Sequence, residues 1–495
     1  MPKKLYFSAK LFQLCKKHYL VIIFLFLYLF LLGFKVVSQV RPFFDWDEAI
    51  YAQVGREMIA KLSLVPLWQG QPWLDKPPLV PLLYGIVETI SPVVPEISTR
   101  LFTLFMSVLV LGLTYILYVR ISKNTLISLL TVILTAFIPD FLQRSQVVNI
   151  DVFMLLGWLG YVIFFENYWV SLLFLSISFF SKSLLGFYPP AMFLLFYTYR
   201  VVVKQMSVAE YKKKAVFIVS QVLLLSIWYV IMYFFYGNAF IQAHFIESHF
   251  KRVTASIESH FGKRTFYIDL LIEEFSVFMA LVIAGFGLLI KKNWKKFGEA
   301  TFLLSVFFVP WFIFLNLTKT KIAWYYYPTI PQFAYLAAFS LLFFREKFKK
   351  VYLVAIIIFV VLLSIKIEKA NIFGSYYSNF EPHYYMALYA KKNCSNTLHV
   401  VIDKDTRTAH DTLAKLNLLI STSTWWGNHA SIVYYYDGLV DFIYDEKKIP
   451  NVLSSLAKGQ CVVMNQTDTT VSVEKYKNVS LISTISPYLI YEKTK

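Results

Sequence analysis

Long apolar runs alternate with short charged stretches over the first three quarters of the chain. They lie at about 18–38, 99–119, 124–138, 151–166, 168–181, 184–199, 215–236, 269–290, 300–317, 327–344 and 351–367. A helix that crosses a bilayer needs roughly 20 apolar residues. The pattern therefore predicts an all-α polytopic membrane domain of about eleven transmembrane helices over residues 1–368, some of its runs falling short of full length. Beyond about residue 369 the pattern changes. Runs at 398–402, 431–436 and 460–464 read as strands, and 450–458 reads as a helix. This predicts a soluble α/β domain over 369–495, long enough to bury its own core.

Composition agrees with the pattern. Hydrophobic residues make up 58% of the 495, charged residues 16%, and mean hydropathy is +0.57. These values exclude an ordinary soluble enzyme and point to a lipid bilayer as the first partner. The net charge of +18 would suggest nucleic acid in a soluble chain. Here its placement matters more, and no nucleic-acid partner is expected. Lys3, Lys4, Lys10, Lys16 and Lys17 precede the first run; Arg120 and Lys123 follow the second. Arg200, Lys204 and Lys212 to Lys214 follow the sixth, Lys291, Lys292, Lys295 and Lys296 the eighth, and Arg345, Lys347, Lys349 and Lys350 the tenth. Eleven crossings put all five clusters on one side, which the positive-inside rule makes cytoplasmic. The N-terminus is then cytoplasmic and the C-terminal domain extracytoplasmic, in a multi-pass protein of a bacterial inner membrane. The first run lacks a small-residue cleavage site and reads as a retained helix. Cys15, Cys394 and Cys461 are too scattered for a disulfide framework or a metal knuckle. Cys394 and Cys461 either pair in an oxidising compartment or stay as two thiols.

With that topology the outer face receives the loops 39–98, 139–150, 237–268 and 318–326. These loops hold the polar clusters. The first has Asp45, Asp47, Glu48, Arg56, Asp75 and Lys76; the second has Asp140, Arg144, Asn149 and, at its end, Asp151. The third has Glu247, His249, Lys251, Arg252, Glu258 and His260, and the fourth has Lys319, Lys321 and Tyr325. Carboxylates can take a proton from a hydroxyl, and Lys, Arg and Tyr can hold a phosphate as it gains charge on leaving. No glycine-rich phosphate loop is present, so no nucleotide site is expected.

Three segments of the first loop carry a resemblance: Asp47-Glu48-Ala49-Ile50-Tyr51-Ala52, then Val65-Pro66-Leu67, then Asp75-Lys76-Pro77-Pro78. They are similar to the first-loop signature of the polyprenyl-phosphate-sugar glycosyltransferases of the GT-C fold. That family includes the aminoarabinose transferases of lipid A modification and the protein O-mannosyltransferases. Asp151 resembles its second-loop acid, and Ser181-Lys182-Ser183 stands at its Thr-Lys-Gly. The run from Glu247 to Arg252 with His260 and Tyr267, and the run from Lys321 to Pro328, resemble two later motifs. The resemblance covers about 330 residues in order.

It implies an inverting transfer of one sugar from a polyprenyl-phosphate donor such as undecaprenyl phosphate to a glycolipid, glycan or protein acceptor at the outer face. Asp47 would be the catalytic acid, with Asp151 supporting the acceptor or sharing that role. Lys76, Arg252 and Tyr325 would hold the donor phosphate, and Glu48, Lys321 and His260 would support them. Asp75 and His249 could share a divalent cation. Ile50 replaces the arginine of the aminoarabinose transferases, and Asp75 replaces a glutamate, shortening its reach by one methylene.

Plainer roles stand beside these. Asp47 can cap the helix that 48–61 predicts, and Glu48 can be a first-turn acid facing the helix dipole. Tyr325 to Tyr327 can form an aromatic belt. Trp425 and Trp426 read as core before they read as a sugar platform. The rival function is a lipid-linked sugar transporter or flippase without transfer chemistry. It needs charges inside the spans, whereas here they gather in the outer loops. A third is a scaffold that presents the tail domain.

Overall fold

The computed structural model describes residues 3–291, 299–347, 349–373, 380–468, 473–476 and 478–493. The basic residues Lys292, Lys295 and Lys296 lie outside these. The chain falls into two compact units. The first comprises Met1–Gln39, Arg100–Phe234 and Gly262–Gly374; the second comprises Val40–Thr99, Phe235–Phe261 and Ser375–Lys495.

The first unit is helical. Every apolar run of the sequence lies on helix, and among the described residues six helices are long and apolar enough to cross a membrane: Lys17–Ser38, Pro95–Ser122, Tyr168–Val202, Val208–Thr254, Ala323–Arg345 and Lys350–Lys369. A seventh candidate, Phe266–Phe275 with Phe278–Lys291, is bent by 109°. Thr125–Ala136, Asp151–Ile163 and Thr301–Leu317 are apolar but shorter. Within Tyr168–Val202 the two expected runs remain separate helices. Ser183 adopts φ 55°, a 3-10 turn follows over Ser183–Phe187, and Gly186 comes so close to Phe179 that a Cβ would sit 2.5 Å from its backbone. The break between the two helices leaves no room for a side chain at residue 186. The expected loop 139–150 is interior: Pro139–Arg144 is a helix, and Asp140, Arg144 and Asn149 are buried.

The second unit joins the first loop, residues 235–261 and the tail around a small mixed sheet. Strands β1 (Leu67–Trp68) and β2 (Gln71–Pro72) form a hairpin of their own. Its turn residues Gln69 and Gly70 have φ of 49° and 79°, and their N–H groups both donate to Glu57, at 2.7 Å. The tail supplies β3 (Leu398–Val401), β4 (Val440–Ile443), β5 (Cys461–Asn465), β6 (Val479–Ile485) and β7 (Tyr488–Lys493). Their order is β4-β3-β5-β7-β6, with β3 parallel to both neighbours and β7 antiparallel to β5 and β6. Val401, Ile443, Val462 and Met464 from three strands meet Ile449 and Leu453 of the helix Ile449–Ser455 in its core. Cys394 and Cys461 are joined, tying the end of the helix Pro382–Asn393 to β5.

One expected strand is corrected. Residues Ser431–Tyr436 form a helix with every residue buried, ended by Asp437 in the left-handed conformation at φ 58°. A run of β-formers gives no alternation to read when both sides are buried, so local propensity is overridden. This helix packs onto the first loop. Arg56 lies over the Tyr434 ring at 3.6 Å and bonds Glu88 at 3.0 Å, while Tyr434 and Tyr435 donate to Glu88 and Glu96, each at 2.9 Å. Gln69 pairs with both the N–H and the C=O of Val440. Trp426 is core, packed against Trp68 and Trp73.

Candidate functional site

The predicted site residues divide between the two units. Asp47, Glu48, Asp75, Lys76, His249, Arg252 and His260 belong to the second; Asp151, Lys321 and Tyr325 belong to the first.

In the second unit, Asp47 opens the helix Asp47–Ala60. The capping position is Trp46, not Asp47, and Trp46 sits at φ 69°, ψ −116°. A non-glycine residue enters that region at a cost of about 1–3 kcal/mol, so the surrounding contacts must hold it there. Glu48 is buried and accepts from the Phe44 N–H at 2.7 Å, folding the loop back over the first turn. The helix then meets Leu79–Ile90 at a glycine pair. A Cβ on Gly55 would stand 2.3 Å from the Pro81 carbonyl, and one on Gly85 would stand 2.2 Å from that of Gly55. That contact sets the helix of Asp47 against the helix that begins just after Lys76-Pro77-Pro78.

Lys76 pairs with Asp75 at 2.8 Å, both largely buried. Burial works against the Asp75 carboxylate, yet Lys76 and then Arg252 outweigh it and hold its carboxyl below the usual range. Arg252 arrives from residues more than 170 positions later. It also faces Glu258 at 3.5 Å, whose carboxyl burial pushes up. His260 is pushed down by burial and by Arg252, with Asp47 acting in the opposite sense. Arg252 thus acts on both Asp75 and His260, Lys76 acts on Asp75, and Asp47 acts on His260.

His249 sits in a stretch of π-helix, Ile241–Lys251. The wider turn puts residues five apart on one face, and such turns gather at functional sites. His249 Nδ1 bonds the His244 carbonyl at 2.7 Å, and His244 Nδ1 bonds the Leu74 carbonyl at 3.0 Å, with the two rings 5.5 Å apart. A carbonyl only accepts, so each Nδ1 carries a proton. His244 was not singled out from the sequence; its spacing of five before His249 is the signal that a period of 3.6 overlooks. As metal ligands Asp75 and His249 fit poorly. They are two donors, and the Asp75 carboxylate already neutralises a lysine beside an arginine. The only group of three metal-type donors among the described residues is elsewhere, at Asp45, His383 and His429.

In the first unit Asp151 opens the helix Asp151–Ile163, is 1% exposed, and is gripped by two cations. Arg144 donates at 2.8 Å and Lys182 makes a short ion pair. Asn149 fixes the turn, donating to the Arg144 and Val147 carbonyls and accepting from the Val152 N–H. Lys182 lies 4.8 Å over the Tyr325 ring and Arg144 lies 4.7 Å over that of Trp324. Three of the sequence motifs therefore converge: the second-loop acid, Ser-Lys-Ser and the tyrosine run. The run is not an aromatic belt. Tyr326 and Tyr327 are fully buried, Tyr327 stacking on Phe141 at 5.1 Å. Lys321 is buried too, its ammonium donating to the Leu315 and Asn316 carbonyls at the end of the helix Val309–Leu317. A cation there neutralises the negative end of a helix.

No family model matches the chain. An uncharacterized protein of Aquifex aeolicus is 29% identical over 338 residues, 65% of this chain, and the match spans only 63% of that relative's length. Among solved structures, ArnT from Cupriavidus metallidurans superposes with a TM-score of 0.71 in its apo state and 0.66 bound to undecaprenyl phosphate. Identity is 13% and 14%, over 96% of this chain and 98% of ArnT. The Archaeoglobus fulgidus oligosaccharyltransferase, in complex with Zn and sulfate, superposes at 0.56 with 11% identity, over 95% of this chain and 73% of that one. Through both units, the fold of this chain is the GT-C fold of ArnT.

Proposed function

We propose that the protein is an inverting glycosyltransferase that moves a single sugar from a polyprenyl-phosphate donor to an acceptor at the outer face of a bacterial inner membrane. The observation that carries this is the charge cluster of the second unit. There Asp75 with Lys76, and Arg252 from a distant segment, are gathered in the unit that bears Asp47. The fold supports it, being that of an enzyme crystallised with undecaprenyl phosphate.

In this reading Asp47 takes the acceptor hydroxyl's proton as that oxygen attacks the anomeric carbon. The bond between the anomeric carbon and the phosphate oxygen breaks from the opposite face, and the lipid phosphate leaves with the electron pair. Lys76 exchanges part of its contact with Asp75 for the phosphate, and Arg252 receives the second oxygen. Lys76 and Arg252, each resting against a carboxylate (Asp75 and Glu258), are the two cations available to a phosphate gaining charge. Asp151 is a weak candidate for the base, because Arg144 and Lys182 already neutralise it. Asp151 and Tyr325 belong to the first unit and are given no step in this reaction. No step uses a metal. The acceptor class, whether glycolipid such as lipid A, glycan or protein, is set by the outer surface.

The test is the release of undecaprenyl phosphate by purified protein in nanodiscs, with a panel of undecaprenyl-phosphate pentoses and hexoses as donors, lipid A, a glycan or a serine/threonine peptide as acceptors, and mass spectrometry of the products. Removing a general base costs roughly 10²–10⁴-fold, so Asp47→Asn should fall by that much while staying folded. A folded Asp47→Asn that transfers sugar at the wild-type rate removes Asp47 from the reaction. Donor that crosses proteoliposomes with its sugar–phosphate bond intact establishes the transport reading instead.

A further inference from the structure

Asp45 stands two residues before Asp47 and takes no part in the chemistry above. Folding of the second unit brings to it two histidines from the tail, His383 near the start of Pro382–Asn393 and His429 just before Ser431–Tyr436. His429 Nδ1 lies 2.5 Å from Asp45 Oδ2, and His383 Nε2 lies 3.3 Å from the same oxygen. The two imidazoles are nearly parallel, 11° apart with centroids at 3.9 Å. All three donor atoms fall within 4.8 Å of one another. We propose that Asp45, His383 and His429 bind a divalent transition-metal ion, zinc foremost.

Three features argue for an ion rather than a chance cluster. The first is the donor set: two imidazoles and one carboxylate suit zinc and its neighbours, whereas calcium and magnesium take oxygens. The second is spacing. With bonds of about 2.0–2.2 Å, tetrahedral ligand atoms lie roughly 3.3 Å apart. The Asp45–His383 separation already matches, and the Asp45–His429 one is shorter by less than about 1 Å. The two stacked imidazoles, whose donor atoms lie within 4.8 Å of one another, have to rotate to aim both lone pairs at one ion. The third is the support behind the carboxylate. Asp45 Oδ1 accepts from the Ser431 N–H at 3.1 Å and from the Ser431 hydroxyl in a short contact, so Oδ2 alone faces the histidines. Metal-binding carboxylates are held in this way by a second layer of hydrogen bonds. His429 is partly exposed, which leaves a side for the ion to enter and for water to fill the fourth position. An ion here would tie residues 45 and 46, and with them the strained turn into the helix of Asp47, to the tail domain.

Tag-free full-length protein in detergent is stripped with a chelator, dialysed against zinc and assayed by elemental mass spectrometry. One zinc per chain is expected, lost in both His383→Gln and His429→Gln, and bound about tenfold to a hundredfold more weakly in Ser431→Ala. X-ray absorption at the zinc edge of the wild type, which needs no variant to fold, should show two imidazole nitrogens and a carboxylate oxygen. Wild type that retains no zinc overturns the proposal and leaves Asp45 as a cap on Ser431–Tyr436 braced by two histidines. Full zinc content in both histidine variants overturns it as well, placing the ion elsewhere. These readouts do not depend on sugar transfer, so they stand or fall apart from the proposed function.

Discussion

Adding one methyl group at Gly55 should damage both folding and transfer. Its Cβ would lie 2.3 Å from the Pro81 carbonyl oxygen, 2.7 Å from the Gly85 nitrogen and 3.1 Å from the Gly85 Cα. These are backbone atoms of the facing helix, so no rotamer change relieves the clash. The helices Asp47–Ala60 and Leu79–Ile90 must separate by roughly 1 Å to restore ordinary contact distances. Overpacking of this kind costs about 1–3 kcal/mol, while alanine returns up to about 1 kcal/mol of helix propensity. The net expectation is a loss of about 0–2 kcal/mol, toward the upper end because the clashing atoms are backbone. Gly112→Ala is the control, because its Cβ would meet only the Leu25 side chain at 3.9 Å. Thermal unfolding in detergent should show a lowered Tm for Gly55→Ala and an unchanged or raised one for Gly112→Ala. Separation also moves Asp47 relative to Lys76, and a displacement of about 1 Å can cost on the order of 10²-fold in rate. Gly55→Ala with wild-type Tm and turnover would falsify the argument that this contact sets the two motifs in register.

Two further outcomes follow from the second unit. The Cys394–Cys461 bridge spans 67 residues, and loop entropy for that length corresponds to about 4 kcal/mol of stability, so Cys394→Ala with Cys461→Ala should lower the denaturant midpoint by that equivalent without changing the membrane unit's helix content. Asp75 and Glu258 should give opposite pH signatures. Asp75 has its folded pKa held below the ordinary 3.8, so its contribution is fully present above 3.8 and disappears as pH falls through the lower folded value. Glu258 has its folded pKa raised above 4.5, so it removes stability as pH rises through that value. The stability gap between wild type and Asp75→Asn should therefore close in acid, while Glu258→Gln should gain on wild type as pH rises above 4.5. Parallel curves for all three proteins would show that neither carboxyl is coupled to folding.

Much of this was legible in the sequence because it is periodic or local. The apolar runs located the helices, and Asp47 and Lys76 were read from first-loop segments that keep their order. The runs at 398–402 and 460–464 are the strands they were read as, and Ser431–Tyr436 is a helix read as a strand, because a helix buried all round and a buried strand have the same composition. The π-helix hid His244, since a spacing of five belongs to neither the helical nor the strand period. Lys321 looked like surface chemistry and Tyr326 like part of an aromatic belt because composition alone cannot tell an outer loop from an interior turn whose carbonyls and rings need partners.

What no local pattern holds is the meeting of residues far apart in sequence. In the sequence Asp45 is one more acid of the first loop, while its partners lie more than 330 residues away, in a tail whose fold was legible only as a class. The same distance separates Arg56 from Tyr434 and Gln69 from Val440. In each case the first-loop residue is polar, its tail partner is aromatic, histidine or backbone, and neither has a local reason for its identity. Asp45, a carboxylate beside the Asp47 segment with no local partner in the sequence, has its partners in another part of the fold. That is why the loop of Asp47 is built from two regions of sequence, and why a change in the tail at His429 or Tyr434 is expected to reach it.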